Sequence, residues 1–362
     1  MKRTLIFSAA ALAGLAIAAP AMAQSVADHY KNRTVTILVG YGAGGTYGQT
    51  SLLLAQHIGD HIPGNPTVIV QHMPGAGGIK MTNYAYHVMP KFGHNIMMPP
   101  EMSLVSQLLR PKRVKYVTNE FTWLGTVFGA NQVMIVRRDT GIKSIADLTK
   151  RQIIVASTGK GSPTFLVPAM MNGILKTKFK IVTGYKGSAG TSLSVEQGET
   201  FGMTNSWVSW KANRPQWFQG KSNDFALKLA QVGFTKEKGL PNLPLLTDLA
   251  KSADDKAAAS MLSTASIIGR GLALPPGVPK HLVAPLRAAF AATVVDPKFK
   301  ANAKKRRLPV IPLGGAELQG MINDAMKKIT PSAIDTAKKY IFGTKASKCA
   351  TGQKGCKKKK KK

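Results

Sequence analysis

Thr34-Val-Thr-Ile-Leu-Val-Gly-Tyr-Gly-Ala-Gly-Gly45 is a run of β-branched and apolar residues that passes directly into a glycine-rich loop. The apolar run predicts a buried strand, and the residues after the loop have the pattern of a helix. The spacing Gly40-x-Gly42-x-x-Gly45 is that of a dinucleotide-binding loop, whose glycines let backbone N–H groups approach a phosphate. The sequence must therefore be tested for the other parts of a dinucleotide site.

The second predicted strand lacks the residue that a dinucleotide needs. A nucleotide-binding fold places Asp or Glu about 20 residues further on, at the end of the second strand, to bind the ribose hydroxyls. Here that strand ends Val70-Gln-His-Met-Pro74, without an acidic residue. A small carboxylate needs only about two or three backbone N–H donors, so the loop is better suited to a smaller anion.

The chain begins with the three parts of a secretory signal peptide. Lys2 and Arg3 precede the uncharged apolar stretch from Leu5 to Ala19, and Ala21-Met-Ala23 has the A-x-A form of a cleavage site. We therefore expect residues 1–23 to be removed and the mature protein to reside in a bacterial periplasm. Export would also separate the protein from the nicotinamide cofactors of the cytoplasm.

The C-terminal end carries the two cysteines and a run of lysines. Cys349 and Cys356 are expected to form a local disulfide in an oxidising compartment. Lys357 to Lys362 are six consecutive cations that repel one another, so residues 346–362 are predicted to be a disordered basic tail. Three interpretations stay open: the tail contacts an anionic membrane or polymer, it is an expression tag, or it is simply solvated.

The chain is strongly basic. Its 50 Lys and Arg residues face 17 Asp and Glu residues, for a formal charge of +33, and loss of Lys2 and Arg3 leaves +31. The basic residues are spread over several segments, and no nucleic-acid-binding motif accompanies them. We therefore expect no nucleic-acid partner and interpret the charge as a field that attracts anions.

Strand-like and helix-like segments alternate through most of the mature chain, which predicts an α/β fold with mixed, mostly parallel sheets flanked by helices. The length exceeds that of a single typical core, so two lobes are expected. Strands are predicted at 35–41, 67–72, 95–98, 132–137, 153–157, 180–184, 200–204 and 226–232. Helices are predicted at 50–61, 79–88, 103–109, 144–150, 163–176, 257–265, 279–294, 316–329 and 331–340.

Three of the predicted strand-to-helix connections are rich in glycine. They are Tyr41–Gly48 (loop 1), Met73–Gly78 (loop 2) and Ser157–Pro163 (loop 3). Such connections bind ligands in open sheets, because N–H groups of the first helical turn point outward there. Two loops from one lobe and one from the other predict a ligand cleft between the lobes.

Eight stretches, in order, resemble one family. They are VTILVGYGAGG, IPGNPTVIVQHMPGAGG, FTWLGT, STGKGSPTF, FKIVTGYKGS, VEQGE, LPNLPLLTDLA and GLALPPGVPKHLVAPLRAAF, between about residues 34 and 328. The chain is similar to the solute receptors of tripartite tricarboxylate transporters, the Bug-type periplasmic binding proteins. The resemblance implies a two-lobed Venus flytrap that closes on a small carboxylate and delivers it to membrane permease subunits.

The resemblance also implies a domain division and a ligand site. Lobe 1 is expected to comprise residues 24–126 and the mostly helical residues 241–345, and lobe 2 residues 127–240. The protein is expected to be a monomer without enzyme activity, cofactor or metal. The predicted ligand-binding residues are Tyr41, Gly42, Gly44, Gly45, Thr46, Tyr47, Gly75, Gly77, Ser157, Thr158, Gly159, Gly161, Ser162, Tyr185 and Asn205.

The sequence departs from the family at two places. The acidic residue that commonly follows the first glycine loop is absent, and Thr46, Tyr47 and Gly48 stand there. Thr200 and Phe201 follow the Gly-Glu pair in place of Val-Asp. Because a carboxylate near the loop would bind an amino group, its absence favours a plain acid over an amino acid.

Two other classes of protein remain as alternatives. An exported hydrolase or metal enzyme is one, but Ser162 lies outside a G-x-S-x-G motif, and Ile58 stands where a His57-x-x-x-His61 zinc site would need Glu. The other is a basic protein that binds a surface or polyanion. Trp207, Trp210 and Trp217 are interpreted either as a wall of the cleft or as core.

Overall fold

The computed structural model describes residues 25–219 and 225–343. The predicted signal peptide, the predicted disulfide between Cys349 and Cys356, and the predicted lysine tail lie outside the described residues. The strands are β1 (Thr34–Val39), β2 (Thr67–His72), β3 (Asn95–Met98), β4 (Thr122–Thr126), β5 (Gln132–Arg137), β6 (Gln152–Ser157), β7 (Lys178–Thr183), β8 (Gly202–Ser206), β9 (Ala226–Val232), β10 (Gly271–Leu274) and β11 (Leu313–Gly314).

The helices alternate with these strands for most of the chain. They are α1 (Val26–Tyr30), α2 (Thr46–Ile58), α3 (Ile79–His87), α4 (Ser103–Leu109), α5 (Asp147–Lys150), α6 (Pro163–Leu175), α7 (Ser188–Glu196), α8 (Trp207–Asn213), α9 (Leu246–Leu249), α10 (Ala253–Ser263), α11 (Ala265–Ile268), α12 (Lys280–Val295), α13 (Pro297–Lys305), α14 (Gly315–Lys328) and α15 (Pro331–Phe342). Within the described ranges, no helix is both long enough and apolar enough to cross a membrane.

The first sheet has the strand order β11-β4-β10-β3-β1-β2. β1 pairs in parallel with both β2 and β3, so its backbone is bonded on both edges. β10 returns between β3 and β4, antiparallel to both. The apolar residues of β1 that the sequence singled out, among them Val35 and Ile37, are fully buried because helices α2 and α12 pack over this sheet. We call this sheet with its helices lobe 1.

The second sheet has the order β7-β6-β8-β5-β9. β6 is parallel to β7 and β8, whereas β5 is antiparallel to β8 and β9. Helices α6, α10 and α15 pack together on one face, in an apolar cluster that includes Val155, Met170 and Leu262. We call this sheet with its helices lobe 2.

The prediction of a two-lobed α/β fold with mixed sheets and flanking helices is confirmed. Antiparallel pairs are more frequent than predicted, because β5 is antiparallel to both of its neighbours and because β4, β10 and β11 were missed in lobe 1. β4 contains Gly125 at φ +152°, and β10 is only four residues long and ends at Leu274, directly before Pro275. Neither segment shows the long apolar or alternating pattern by which strands are recognised.

The chain crosses between the sheets after β4 and again between β9 and β10. Asn131 of the first crossing bonds to the second crossing, because its backbone N–H donates to Glu237 Oε1 at 3.0 Å. Its Nδ2 also donates to Gln231 Oε1 of β9 at 2.8 Å. The predicted domain boundaries stay a prediction. Helices α9, α10 and α15, from the segment predicted to complete lobe 1, contribute buried side chains to the lobe 2 cluster.

Candidate functional site

A small cavity lies between the two lobes, at the ends of the strands that precede loops 1 and 3. Its volume is about 30 Å³, counted as the space open to the centres of water molecules. This is room for a few waters or one compact polar group. Its lining comes from both lobes: Tyr41, Gly42, Gly45, Thr46, Tyr47, Glu101, Gln132, Thr158, Ser162, Pro163, Thr164, Ser188, Thr204, Asn205 and Arg270.

Three helices begin at the wall of this cavity without a side-chain cap. They are α2 after Gly45, α6 after Ser162, and α7 after Gly187, and at none of these N-caps does a side chain accept a hydrogen bond from the first turn. The first N–H groups of a helix have no partner within the helix, and the helix dipole places partial positive charge there. Three such ends at one cavity form a site for an anion.

Loop 3 presents a group of hydroxyls to the cavity. Thr158 Oγ1 donates to Ser162 Oγ at 2.8 Å, and the Ser162 and Thr164 hydroxyl oxygens are 2.5 Å apart. Ser157 Oγ accepts from the backbone N–H of Gly159 at 3.1 Å, behind the lining. Because the hydroxyls bond to one another, loop 3 is held in place while its outer hydroxyls face the cavity.

A buried ion pair borders the cavity on the lobe 1 side. Arg270 Nη1 donates to Glu101 Oε2 at 2.5 Å, and the two side chains are 2% and 6% exposed. The Tyr47 hydroxyl donates to the same carboxylate and accepts from the Glu101 backbone N–H at 2.7 Å. A buried charge requires an opposite charge and further hydrogen bonds, and Glu101 has both.

Arg270 also joins the two lobes. Its Nη2 donates to Thr46 Oγ1 at 2.9 Å in lobe 1, and to the hydroxyls of Ser206 and Ser209 in lobe 2, each at 3.2 Å. Its guanidinium carbon lies 4.0 Å from the centroid of the Tyr47 ring. One side chain thereby fixes the beginning of α2 relative to the N-terminus of α8.

The two tyrosines of loop 1 stay protonated at physiological pH. Burial raises the pKa of Tyr41 and of Tyr47 well above the usual value, the Glu101 carboxylate raises both further, and Arg270 opposes the shift. The Tyr41 hydroxyl donates to the Gly77 carbonyl at 3.2 Å, and the two tyrosine rings are 4.7 Å apart. These rings are the apolar part of the cavity wall.

The structure brings about half of the predicted ligand residues together at the cavity. Loops 1 and 3 meet there as expected, together with Asn205. The backbone N–H of Gly42 forms a contact between the lobes, since it donates to the Lys186 carbonyl at 3.1 Å. The predicted residues that line the cavity are Tyr41, Gly42, Gly45, Thr46, Tyr47, Thr158, Ser162 and Asn205.

The remaining predicted residues lie outside the lining. Gly77 of loop 2 packs against loop 3 so tightly that a Cβ on it would be 2.6 Å from the Ser162 nitrogen, and a Cβ on Gly159 would be 2.7 Å from the Gly77 nitrogen. The Tyr185 hydroxyl donates to Glu199 at 3.4 Å. The predicted residues outside the lining are Gly44, Gly75, Gly77, Ser157, Gly159, Gly161 and Tyr185.

Glu101, Gln132 and Arg270 are the lining residues of greatest chemical interest that the sequence analysis missed. Glu101 and Arg270 each stand alone among apolar residues, within Met-Met-Pro-Pro-Glu-Met and Ile-Ile-Gly-Arg-Gly-Leu. A lone charge in such surroundings is a signal of a buried, paired group. Gln132 Oε1 and Arg270 Nε are buried without a hydrogen-bond partner among the described residues. The other missed residues are Pro163, Thr164, Ser188 and Thr204.

Other candidate groups have structural partners. His61 pairs with Asp296 at 3.1 Å, and His57 lies 3.0 Å from Asn302. Trp207, Trp210 and Trp217 belong to a buried cluster on the second sheet and are outside the cavity lining. In residues 25–219 and 225–343, no three His, Cys, Asp or Glu side chains are grouped as a metal would need.

The chain resembles a known protein in sequence along most of its length. No family model matches the chain. The UPF0065 protein in gbd 5′ region of Cupriavidus necator is 24% identical over 314 residues, which span 82% of this chain and 85% of the relative.

Solved structures show the same fold. The periplasmic binding protein BugD aligns with a TM-score of 0.66 at 20% identity over 86% of this chain and 98% of its own. MatC from Rhodopseudomonas palustris, solved with bound malate, aligns with a TM-score of 0.65 at 17% identity over 84% and 99%. An R. palustris protein solved with adipate aligns with a TM-score of 0.63 at 18% identity over 84% and 97%. The Bug-type resemblance in the sequence is thus matched by the fold.

Proposed function

We propose that this chain is a periplasmic receptor that captures a small organic carboxylate between its lobes and delivers it to the permease subunits of a tripartite tricarboxylate-type transporter. The observation that carries the proposal is the convergence of three uncapped helix N-termini on one small cavity between the lobes. Malate and adipate in two proteins of the same fold support the ligand class.

The charges of the lining favour binding through backbone dipoles and hydroxyls. Glu101 and Arg270 are the only charged side chains that line the cavity among the described residues, and they balance each other. The ligand's charge is therefore met by the N-termini of α2, α6 and α7, beside the polar hydroxyls of loop 3. The high positive charge of the whole chain increases the rate at which an anion meets the site.

Glu101 changes the argument about amino-acid ligands. The sequence lacks an acidic residue directly after loop 1, yet the structure supplies a carboxylate to the same cavity from the connection between β3 and α4. That carboxylate is bonded to Arg270 and to Tyr47. Its charge is already balanced, so we still expect a plain acid to bind more tightly than its amino-acid analogue.

Binding is coupled to closure of the lobes. Gly42 N–H donates to Lys186 of the facing loop, and Gln49 Nε2 of α2 donates to Asn213 Oδ1 of α8 at 2.8 Å. These contacts join the lobes, so they belong to the closed form. A ligand that bonds to both lobes stabilises this form by its difference in affinity for the closed and the open protein.

A ligand screen tests the proposal directly. Purified mature protein is melted with mono-, di- and tricarboxylic acids and with the matching amino acids. An acid at 100 times its Kd raises the free energy of unfolding by about 2.7 kcal/mol, and calorimetry then gives the Kd. Incubation followed by mass analysis of the ligand is expected to return it unchanged, as a receptor requires.

Gly45→Val is the variant that tests the site. Gly45 has an extended conformation (φ −107°), and a Cβ there would lie 2.2 Å from Ser188 Oγ of lobe 2. The larger side chain obstructs the closed cavity. The affinity for the acid is therefore expected to fall at least about 100-fold, which corresponds to a loss of about 3 kcal/mol of binding free energy.

Gly314→Val is the matched control. Gly314 is also the extended N-cap of a helix, and no atom lies within 4 Å of a Cβ placed there. This variant is expected to bind the acid like the original protein. Equal binding by Gly45→Val, or the absence of any acid that shifts the melting temperature, contradicts the proposal.

A further inference from the structure

A second cavity of about 530 Å³ lies between the end of α4, loop 3, the start of α6 and the end of α15. We call it the basic groove. Five cations surround it: Arg110, Lys112, Arg113, Lys160 and Lys338. Its apolar part consists of Leu109, Phe165, Ile341 and Phe342. It shares no lining residue with the small cavity between the lobes, which we call the carboxylate cavity after its proposed ligand.

The positive charge of the basic groove is uncompensated by the described part of the chain. No acidic residue lines it, and none of its five cations forms an ion pair with a described carboxylate. Burial lowers the pKa of Arg110, and the nearby charge of Arg113 lowers it further. The groove therefore holds like charges close together, which an anionic occupant would stabilise.

Cations and aromatic rings lie next to each other in the basic groove. The guanidinium carbon of Arg110 lies 5.8 Å from the centroid of the Phe342 ring, and Lys160 Nζ lies 5.9 Å from that of Phe165. Leu109 and Ile341 also line the groove and are almost completely buried, at 4% and 7% exposed. An occupant that complements this surface carries negative charges separated by apolar groups.

The chain's own C-terminal segment does not have that chemistry. Helix α15 ends at the groove, and the sequence continues with residues 344–362, which contain nine lysines and no Asp or Glu. Like charges would repel this segment from the groove. The complementary occupant is therefore a different molecule.

We propose that the basic groove is a docking site for an acidic segment of a partner protein that carries apolar side chains between its carboxylates. Five cations around an open groove are more than a single small acid needs, and only two of the ten lining residues are aromatic rings on which the bases of a nucleic acid would stack. Lys160 belongs to loop 3, whose Thr158 and Ser162 line the carboxylate cavity. The proposal stands on the groove alone and does not depend on the ligand of the cavity.

Fluorescence anisotropy of a labelled peptide tests the docking site. The probe alternates pairs of glutamates with single Leu or Phe residues, and two control peptides replace either the glutamates or the apolar residues with glutamine. The full-length mature protein is expected to bind the probe, and each control peptide is expected to bind at least about tenfold more weakly, since both charge and apolar contact contribute.

Matched charge variants locate the binding. The triple variant Lys112→Gln, Arg113→Gln, Lys338→Gln removes three groove cations, and Lys298→Gln, Lys300→Gln, Lys304→Gln removes three exposed cations from α13. The groove variant is expected to weaken probe binding about tenfold or more, and the α13 variant less than about twofold. Thermal melting confirms that both variants fold.

Three outcomes overturn the proposal. One is equal weakening by the groove variant and the α13 variant, because the probe would then bind the general charge of the protein. A second is equal binding of the peptide without apolar residues. The third is displacement of the probe by a single-stranded oligonucleotide at a lower concentration than by unlabelled probe, which would assign the groove to nucleic acid.

Discussion

Loops 1 and 2 contain the same four residues, Gly-Ala-Gly-Gly, after neighbouring parallel strands, yet the structure uses them differently. Gly42 to Gly45 follow β1, and Gly75 to Gly78 follow β2. The glycines of loop 1 have no positive φ, and Gly45 opens α2 in an extended conformation. All four residues of the tetrapeptide in loop 2 have positive φ, from +53° at Ala76 to +151° at Gly75.

The two loops also have different neighbours. Loop 1 borders the carboxylate cavity and is held by side chains, since Thr46 and Tyr47 both contact Arg270. Loop 2 contacts loop 3 through backbone, with Gly77 against Ser162. The same tetrapeptide therefore borders the cavity in one place and makes a close contact between lobes in the other. Glycine allows both, and the surrounding chain decides which is used.

The largest expected effect concerns Arg270, whose side chain supports loop 1 and makes no bond to loop 2. Arg270→Met leaves Glu101 buried without its partner, and breaking such a pair costs about 3–5 kcal/mol. Urea denaturation should show this loss in the free energy of unfolding, and acid binding at loop 1 should weaken as well. The variant also removes the bonds of Arg270 to Ser206 and Ser209 in lobe 2, but the contact of loop 2 with loop 3 stays, because loop 2 has no bond to Arg270.

The double variant Glu101→Gln, Arg270→Met is the companion measurement, since it removes both charges together. We expect it to recover part of the lost free energy of unfolding. Lys327→Met, which removes the exposed partner of Asp324, should leave stability unchanged within error. A single Arg270 variant as stable as Lys327→Met would show that the buried pair does not hold loop 1.

Gly77→Ala tests the close contact of loop 2. Gly77 has φ +71°, and the added Cβ would lie 2.6 Å from the backbone nitrogen of Ser162. Strain of the left-handed backbone and the clash together should cost about 2–4 kcal/mol. The matched change in loop 1, Gly44→Ala, meets only the Ala189 side chain at 3.0 Å and should cost less than about 1 kcal/mol. Similar losses in both would remove the distinction between the loops.

The smallest expected effect concerns the alanine that the two loops share. Ala76 is exposed and has φ +53°, whereas Ala43 is exposed with negative φ. Ala76→Gly relieves a left-handed alanine and should raise the free energy of unfolding by about 0.5–1 kcal/mol. Ala43→Gly only adds freedom to the unfolded chain and should lower it by a similar amount. Changes of the same sign would contradict the assigned backbone conformations.

Local sequence predicted the elements that carry strong periodic patterns. β2, β3, β5 and β9 have the predicted bounds, and α4 as well. These segments are apolar runs or short amphipathic stretches with clear ends, so local preferences and the final fold agree. Helices α7 and α8 were missed, because α7 is rich in Ser and Gly and α8 contains two tryptophans, neither of which is typical of a helix.

The sequence by itself determined the class of fold, the cleft between two lobes and three candidate loops for it, because glycine-rich connections after buried strands can be read locally. Only the tertiary structure decided which glycines face the cavity and which pack lobe against lobe. It alone brought Arg270 to Glu101, 169 residues apart in the chain. Pairing of buried charges depends on how distant segments pack, and no local pattern encodes the distance between them.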